Sequence, residues 1–122
     1  MAKIENFEDL ECWKSAKDLT IKVYRICDNE ALKHEFTAKD QIKRAAISSM
    51  NNIAEGFGRF SNKEFVRFLN ISTASLDEVH SMILLFADLG YINSDQKTET
   101  IEVLKRAKHQ TLGFIKYLNT KR

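Results

Sequence analysis

The densest group of chemically capable side chains lies in the stretch Asn51-Asn52-Ile53-Ala54-Glu55-Gly56-Phe57-Gly58-Arg59-Phe60-Ser61-Asn62-Lys63-Glu64-Phe65. Carboxylates, cations and carboxamides surround a glycine pair there. A buried Glu55 would serve as a general base, and cations beside glycines suggest a phosphate cradle. Neither chemistry is completed. A phosphate loop needs a preceding strand and the spacing G-x-G-x-x-G or G-x-x-x-x-G-K. Gly56-Phe57-Gly58-Arg59-Phe60-Ser61 has neither the spacing nor the strand. Glu55 and Arg59 stand four residues apart, the spacing of a helical ion pair. The pair is therefore expected to brace a helix end rather than to react.

Other constellations are no fuller. A dinuclear carboxylate centre in a helical bundle needs two Glu-x-x-His motifs with further inward carboxylates. Asp77-Glu78-Val79-His80 offers an Asp-x-x-His once, and His34, His80 and His109 have no ligand spacing. Cys12 and Cys27 fall fifteen residues apart on one predicted helix. That separation is roughly 22 Å at the helical rise, too far for a disulfide. The residues thus predict no metal, no cofactor and no enzymatic activity.

The elements that must position these groups read as four helices. Leu10, Trp13, Ala16, Leu19 or Thr20, Val23 and Ile26 or Cys27 recur every three to four residues, an amphipathic helix. Thr37 with Asp40 three residues on predicts a capping box opening the second helix. Its inner face is Ile42, Ala45, Ala46, Ser49, Ile53 and Phe57, and Gly56 or Gly58 is expected to end it in the left-handed conformation. Ser61 and Glu64 form a second capping-box pair. A heptad seam follows through Phe65, Phe68/Leu69, Ser72, Ser75/Leu76, Val79, Met82/Ile83, Phe86 and Leu89, closed by Gly90. Asn93 or Ser94 caps the fourth helix, whose seam is Ile101, Leu104, Ala107, Thr111, Phe114, Ile115 and Leu118. The chain has no proline, which favours long unbroken helices. With 122 residues and short connections it reads as a single domain over 1–122, an all-α, antiparallel up-down-up-down four-helix bundle.

Net charge is only +2, but it is unevenly spread. Residues 31–69 carry seven basic and four acidic groups, and residues 101–122 carry six and one. Lys39, Lys43, Arg44, Arg59, Lys63 and Arg67, then Lys105, Arg106 and Lys108, are the candidate contacts to a phosphate backbone. Lys116, Lys121 and Arg122 extend the basic tail. The competing reading is a set of solvated faces. Gln41 and Asn52 stand beside the apolar face and need hydrogen-bond partners on a neighbouring helix or subunit. No apolar run approaches the roughly 18 residues of a membrane span, and MAKIENFEDLE lacks the apolar stretch of a signal peptide. A cytoplasmic protein with no membrane association is expected.

Gln41-Ile42-Lys43-Arg44-Ala45-Ala46-Ile47-Ser48 followed by Asn52-Ile53-Ala54-Glu55-Gly56-Phe57-Gly58-Arg59 resembles the 23S ribosomal RNA intervening-sequence protein family. Phe7-Glu8-Asp9-Leu10, Trp13, Lys63-Glu64-Phe65, Glu78 and Leu89-Gly90-Tyr91 continue the likeness, which runs from about Phe7 to Leu118. The resemblance implies a four-helix bundle assembled into a homopentamer, with no established enzymatic activity. A related branch comprises the accessory proteins of diversity-generating retroelements, so the implied partners are further copies of the chain, RNA or DNA, and a nucleic-acid enzyme such as a reverse transcriptase. Gln41, Asn52, Glu55, Gly56, Arg59 and Glu78 are expected to hold the helix-two end and the interface. Two departures stand out: Met50 replaces a proline common in helix two, and Ser72 and Ala74 replace smaller residues in helix three. Helix two is expected to be straighter, and the added atoms to strain a close contact at about 1–3 kcal/mol unless the helices shift. The function expected is that of a non-enzymatic, homo-oligomeric nucleic-acid-binding or accessory protein, against the alternative of a protein-only scaffold or adaptor.

Overall fold

The computed structural model describes residues 4–121, so Arg122 of the basic tail lies outside the described residues. Four α-helices and no strand occur among them: α1 (Glu11–Ile26), α2 (Phe36–Phe57), α3 (Asn62–Asp88) and α4 (Ser94–Asn119). Single 3-10 turns precede α1 (Phe7–Asp9) and α2 (Glu30–Leu32). None of the helices is long and apolar enough to cross a membrane.

The helices form because apolar residues at helical spacing share a face that burial rewards, at about 25 cal/mol per Å² of apolar surface. Helix α1 packs on α2 and α4, and α3 packs on α2 and α4. Two apolar clusters result. One gathers Leu19, Val23, Ile42, Leu76, Val79, Ile83, Phe86 and Leu104. The other gathers Leu10, Cys12, Ala16, Ile53, Phe65, Leu69 and Leu118. On α2, α3 and α4 a small hydroxyl residue falls between the members of the two clusters, Ser49, Ser72 and Thr111, and on α1 Thr20 follows Leu19; all four are buried.

These hydroxyls have partners, as buried polar groups must. Thr20 Oγ1 donates to the carbonyls of Ala16 (2.8 Å) and Ala46 (3.0 Å). Ser49 Oγ donates to Ala46 O at 2.6 Å, and Thr111 Oγ1 to Ala107 O at 2.7 Å. Ser72 Oγ crosses from α3 to Ser49 O on α2, also at 2.6 Å. The extra hydroxyl of Ser72 therefore ties two helices within the chain instead of forcing them apart. Helix α2 runs 22 residues without a break, with Met50 packed at the edge of the second cluster.

Several local expectations need correction. Helix α2 starts at Phe36 with Glu35 as N-cap residue and has no side-chain cap, so Thr37 and Asp40 form no capping box. Asp40 accepts from Arg44 Nε instead (2.9 Å), an ordinary i,i+4 pair. Neither Gly56 nor Gly58 is left-handed: Gly58 has φ −80, and the positive φ among the described residues belongs to Gly90, at 76°. Ser61 does cap α3, accepting from Glu64 N at 3.1 Å, but the Glu64 carboxylate turns away to Arg67. Leu89, the last position of the predicted seam, is 53% exposed.

Candidate nucleic-acid interface

Gly56 sets the geometry of the α2–α3 turn. It is buried, and a Cβ built on it would lie 2.8 Å from both Phe65 Cδ1 and Phe68 Cβ. The absent side chain lets the end of α2 press onto the start of α3. Phe57 meets Phe65 edge-on with ring centroids 6.1 Å apart, and the Phe114 centroid lies 5.3 Å from that of Phe65. This apolar footing orients the polar residues above it.

Arg59 and Arg67 both place their guanidinium carbons 4.6 Å from the centroid of the Phe68 ring. A cation facing an aromatic ring is attracted by its quadrupole. Arg67 also reaches Glu64 with two hydrogen bonds, each 3.2 Å. That contact, helped by the charges of Arg59 and Lys63, holds the Glu64 carboxyl below its ordinary range. Arg59 is thus turned to Phe68, not to Glu55. The expected Glu55–Arg59 ion pair is not made, because α2 ends at Phe57 and Arg59 no longer follows the helical path that i,i+4 pairing needs.

Beside this cluster Phe60, Ser61, Asn62, Lys63 and Lys121 line an open hollow of about 500 Å³. Phe60 is fully exposed. Lys63 and Lys121 reach the hollow from α3 and from the end of α4, and Lys121 Nζ lies 5.3 Å above the Tyr117 ring. Neither Phe60 nor Phe68 stood out in the sequence. Phe68 was visible only as a seam residue; Phe60 follows a helix-ending glycine and precedes a helix cap, so no apolar seam claims it.

The other predicted contacts are placed elsewhere. Lys39 stands eighteen residues before Phe57, the end of α2, roughly 27 Å along the helix. Lys39 Nζ donates to Lys33 O (3.1 Å), Lys43 Nζ lies 4.8 Å over the Tyr24 ring, and Arg44 pairs with Asp40. On α4, Arg106 turns to α1, with Nε 3.2 Å from Ser15 Oγ and a 3.5 Å contact to Asp18. Lys108 turns to α3 and Asp77 (2.6 Å). Lys105 is exposed and lines a separate hollow with Lys97, Ile101 and Glu102. Within one chain the nine cations therefore form no single track. Arg59, Lys63 and Arg67 come together, and Lys121 joins them.

The interface candidates behave differently. The Gln41 side-chain amide donates to Glu78, linking α2 to α3. Asn52 Nδ2 donates to Ser48 O and Oγ, both at 2.9 Å, and Ser48 Oγ lies 2.8 Å from Ser75 Oγ. These polar groups clamp helices within the chain. Glu55 is exposed. Both cysteines are free and buried; burial pushes the Cys12 thiol up to about 11 and Cys27 upward as well. Thiols held neutral in this way are weak nucleophiles.

The arrangement offers surface recognition by cations and an aromatic ring around an open hollow. None of the curated proteins matches the chain. Its fold resembles a crystal structure of a protein of unknown function from the S23 ribosomal protein family of Bacteroides thetaiotaomicron VPI-5482. That likeness has a TM-score of 0.78 at 22% identity, over 86% of this chain and 98% of the other. The model of the 23S rRNA-intervening sequence proteins matches residues 8–112, and with four packed helices beneath that match the chain belongs to the 23S rRNA-intervening sequence protein family.

Proposed function

We propose that the protein is a non-enzymatic, cytoplasmic, homo-oligomeric binding protein that engages the backbone of RNA or DNA, alone or as accessory to a nucleic-acid enzyme such as a reverse transcriptase. The observation that carries this reading is the convergence of Arg59, Lys63, Arg67 and Lys121 around one end of the molecule, with Glu64 as the carboxylate among them. An antiparallel up-down-up-down course is supported by the order of cross-helix pairs, Gln41 with Glu78, Ser48 with Ser75 and Ser49 with Ser72 between α2 and α3, and Ser15 with Gln110 and Asp18 with Arg106 between α1 and α4. Higher positions on α2 meet lower positions on α3.

Self-association is supported by apolar residues left exposed on more than one helix. Ile21 (41%) and Tyr24 (42%) stand on α1, and Leu85 (51%) and Leu89 (53%) stand on or just after α3. Two different apolar surfaces suit a head-to-tail contact, which closes into a ring when the rotation between copies allows it. Five copies, the number the family resemblance implies, would raise +2 to about +10 and so strengthen attraction for a polyanion through counterion release.

Light scattering paired with fluorescence anisotropy on labelled RNA and DNA tests this reading. The protein is expected to be oligomeric and to bind at low salt, with affinity falling steeply as salt rises. Lys63→Glu is the sharper charge reversal, because Arg67 is already offset by Glu64. It should weaken binding to every sequence alike. An oligomer that ignores both polymers at about 50 mM salt leaves the protein-only scaffold as the better account.

A further inference from the structure

Resting on that nucleic-acid reading, we propose that the α2–α3 turn is a site for single-stranded nucleic acid, where Phe60 stacks on an unpaired base and Arg59, Lys63 and Lys121 hold the neighbouring phosphates.

A single apolar side chain on a protein surface needs no explanation by itself. Phe60 differs in its company. It is fully exposed, while its sequence neighbours Phe57 and Phe65 turn inward and pack edge-on against each other. It shares an open hollow with Lys63, three residues on, and with Lys121 from the far end of the chain, and Arg59 precedes it directly. The ring is therefore presented between cations rather than on an apolar surface. Water gains nothing from such a ring, and a purely ionic partner would leave it uncovered. A single strand meets both demands, because every unpaired base has a flat face and every nucleotide carries a phosphate. Stacking platforms set in cationic grooves are how such strands are held without sequence preference.

The same geometry disfavours a duplex. Base faces in a duplex are covered by their neighbours, so a side chain reaches one only by prying a step apart. Phe60 is one ring on a braced turn. The turn is fixed on one side by the Gly56 contact with Phe65 and Phe68 and on the other by the Ser61 cap on Glu64 N (3.1 Å). A pre-set platform loses little freedom on binding. Glu64 is the carboxylate beside these cations, and Arg67 engages both its oxygens.

The test uses anisotropy of labelled oligo(rU), oligo(dT) and a duplex, each about 15 nucleotides long, at about 50 mM salt. The wild-type oligomer should bind both single strands more tightly than the duplex, and the better of the two identifies the preferred sugar. Phe60→Ala should weaken single-strand binding by about 5- to 150-fold, the loss typical of one stacked base, and leave duplex binding unchanged within about twofold. Phe60→Trp should restore single-strand binding, with its emission quenched by the stacked base. Because Phe60 touches no part of the core, the variants should keep the thermal midpoint of the wild type. Single-strand binding that survives Phe60→Ala overturns this inference and leaves the nucleic-acid reading intact. So does an alanine variant that falls apart in light scattering, which would make Phe60 a contact between copies. A wild-type oligomer that binds neither form overturns the nucleic-acid reading itself.

Discussion

The two helix turns that carry glycine use it for opposite purposes. At the α3–α4 turn, Gly90 supplies a backbone shape. Its φ of 76° permits Tyr91 N to reach Phe86 O (2.8 Å) and Gly90 N to reach Ala87 O (3.0 Å), the paired bonds of a Schellman motif. Tyr91 packs against Phe86 at 5.9 Å, and Asn93 and Gln96 then exchange the two bonds of a capping box. The backbone path of that turn has a local cause, and Asn29 and Glu35 reach it from the α1–α2 connection to bond Tyr91 and Gln96. At the α2–α3 turn, Gly56 supplies room, and Gly58 has an ordinary backbone at φ −80. Packing and the Ser61 cap account for the path of the chain there. They leave the exposed Phe60 ring without a role in folding, and that ring is what the proposed function assigns to binding.

The contrast is tested most severely by adding bulk where only room is at stake. Gly56→Val should destabilise the protein by about 3 kcal/mol, the upper part of the range for overpacking a close contact. The nearest atom on α3, Phe68 Cβ, is anchored to backbone at 2.8 Å and cannot swing aside. Gly56→Ala should cost less, since alanine regains about 1 kcal/mol of helix propensity. Urea titration followed by circular dichroism measures both. A valine variant as stable as the wild type would mean that α2 and α3 approach each other less closely than this geometry requires.

Gly90→Ala probes the opposite mechanism. A Cβ there meets nothing within 4 Å, so the entire penalty comes from backbone conformation. A left-handed L-residue costs roughly 1–2 kcal/mol. Gly90→Asn should recover much of that, because asparagine tolerates the conformation better than alanine does. A rank order of glycine, asparagine, alanine in urea midpoint is expected at position 90. At position 56 asparagine should be worse than alanine, since size decides there. The reversal of that order between the two turns is the sharpest form of the comparison.

Both turns were visible in the sequence, but with unequal fidelity. The seams were legible because burial follows helical spacing: Leu19, Val23, Ile42, Leu76, Val79, Ile83 and Leu104 are all buried as the pattern required. Gly90 was legible because it stands alone at the end of a seam with the cap Asn93 three residues later. Gly56 was misread, since a glycine shows in sequence only that a side chain is missing. Whether the backbone or a neighbouring helix needs the vacancy depends on Phe65 and Phe68, which reach it only after the turn has closed. The Glu55–Arg59 pairing failed for a related reason: the i,i+4 rule holds on a continuing helix, and α2 stops at Phe57. The cation cluster was half legible. Arg59, Lys63 and Arg67 are close in sequence, whereas Lys121 arrives from the far end of the chain, and Lys39 and Lys43, four residues apart on α2, lie far from it.

The smallest effect is the most pointed. If Gly58 were a left-handed cap, as its place after α2 suggests, Gly58→Ala would cost as much as the change at Gly90. Its φ of −80 lies where alanine sits freely, and a Cβ would meet only Glu55 O at an ordinary 3.6 Å. Its amide already bonds to Glu55 O at 3.1 Å, a bond that alanine retains. Alanine restricts the unfolded chain more than glycine does, so the substitution should stabilise the protein, by about 0.4–1 kcal/mol. The urea midpoint should rise without a change in slope, because the folded surface is unaltered. A fall in midpoint comparable to that of Gly90→Ala would show that the two turns share one mechanism after all, and that the room at Gly56 is a by-product of the bend rather than its cause.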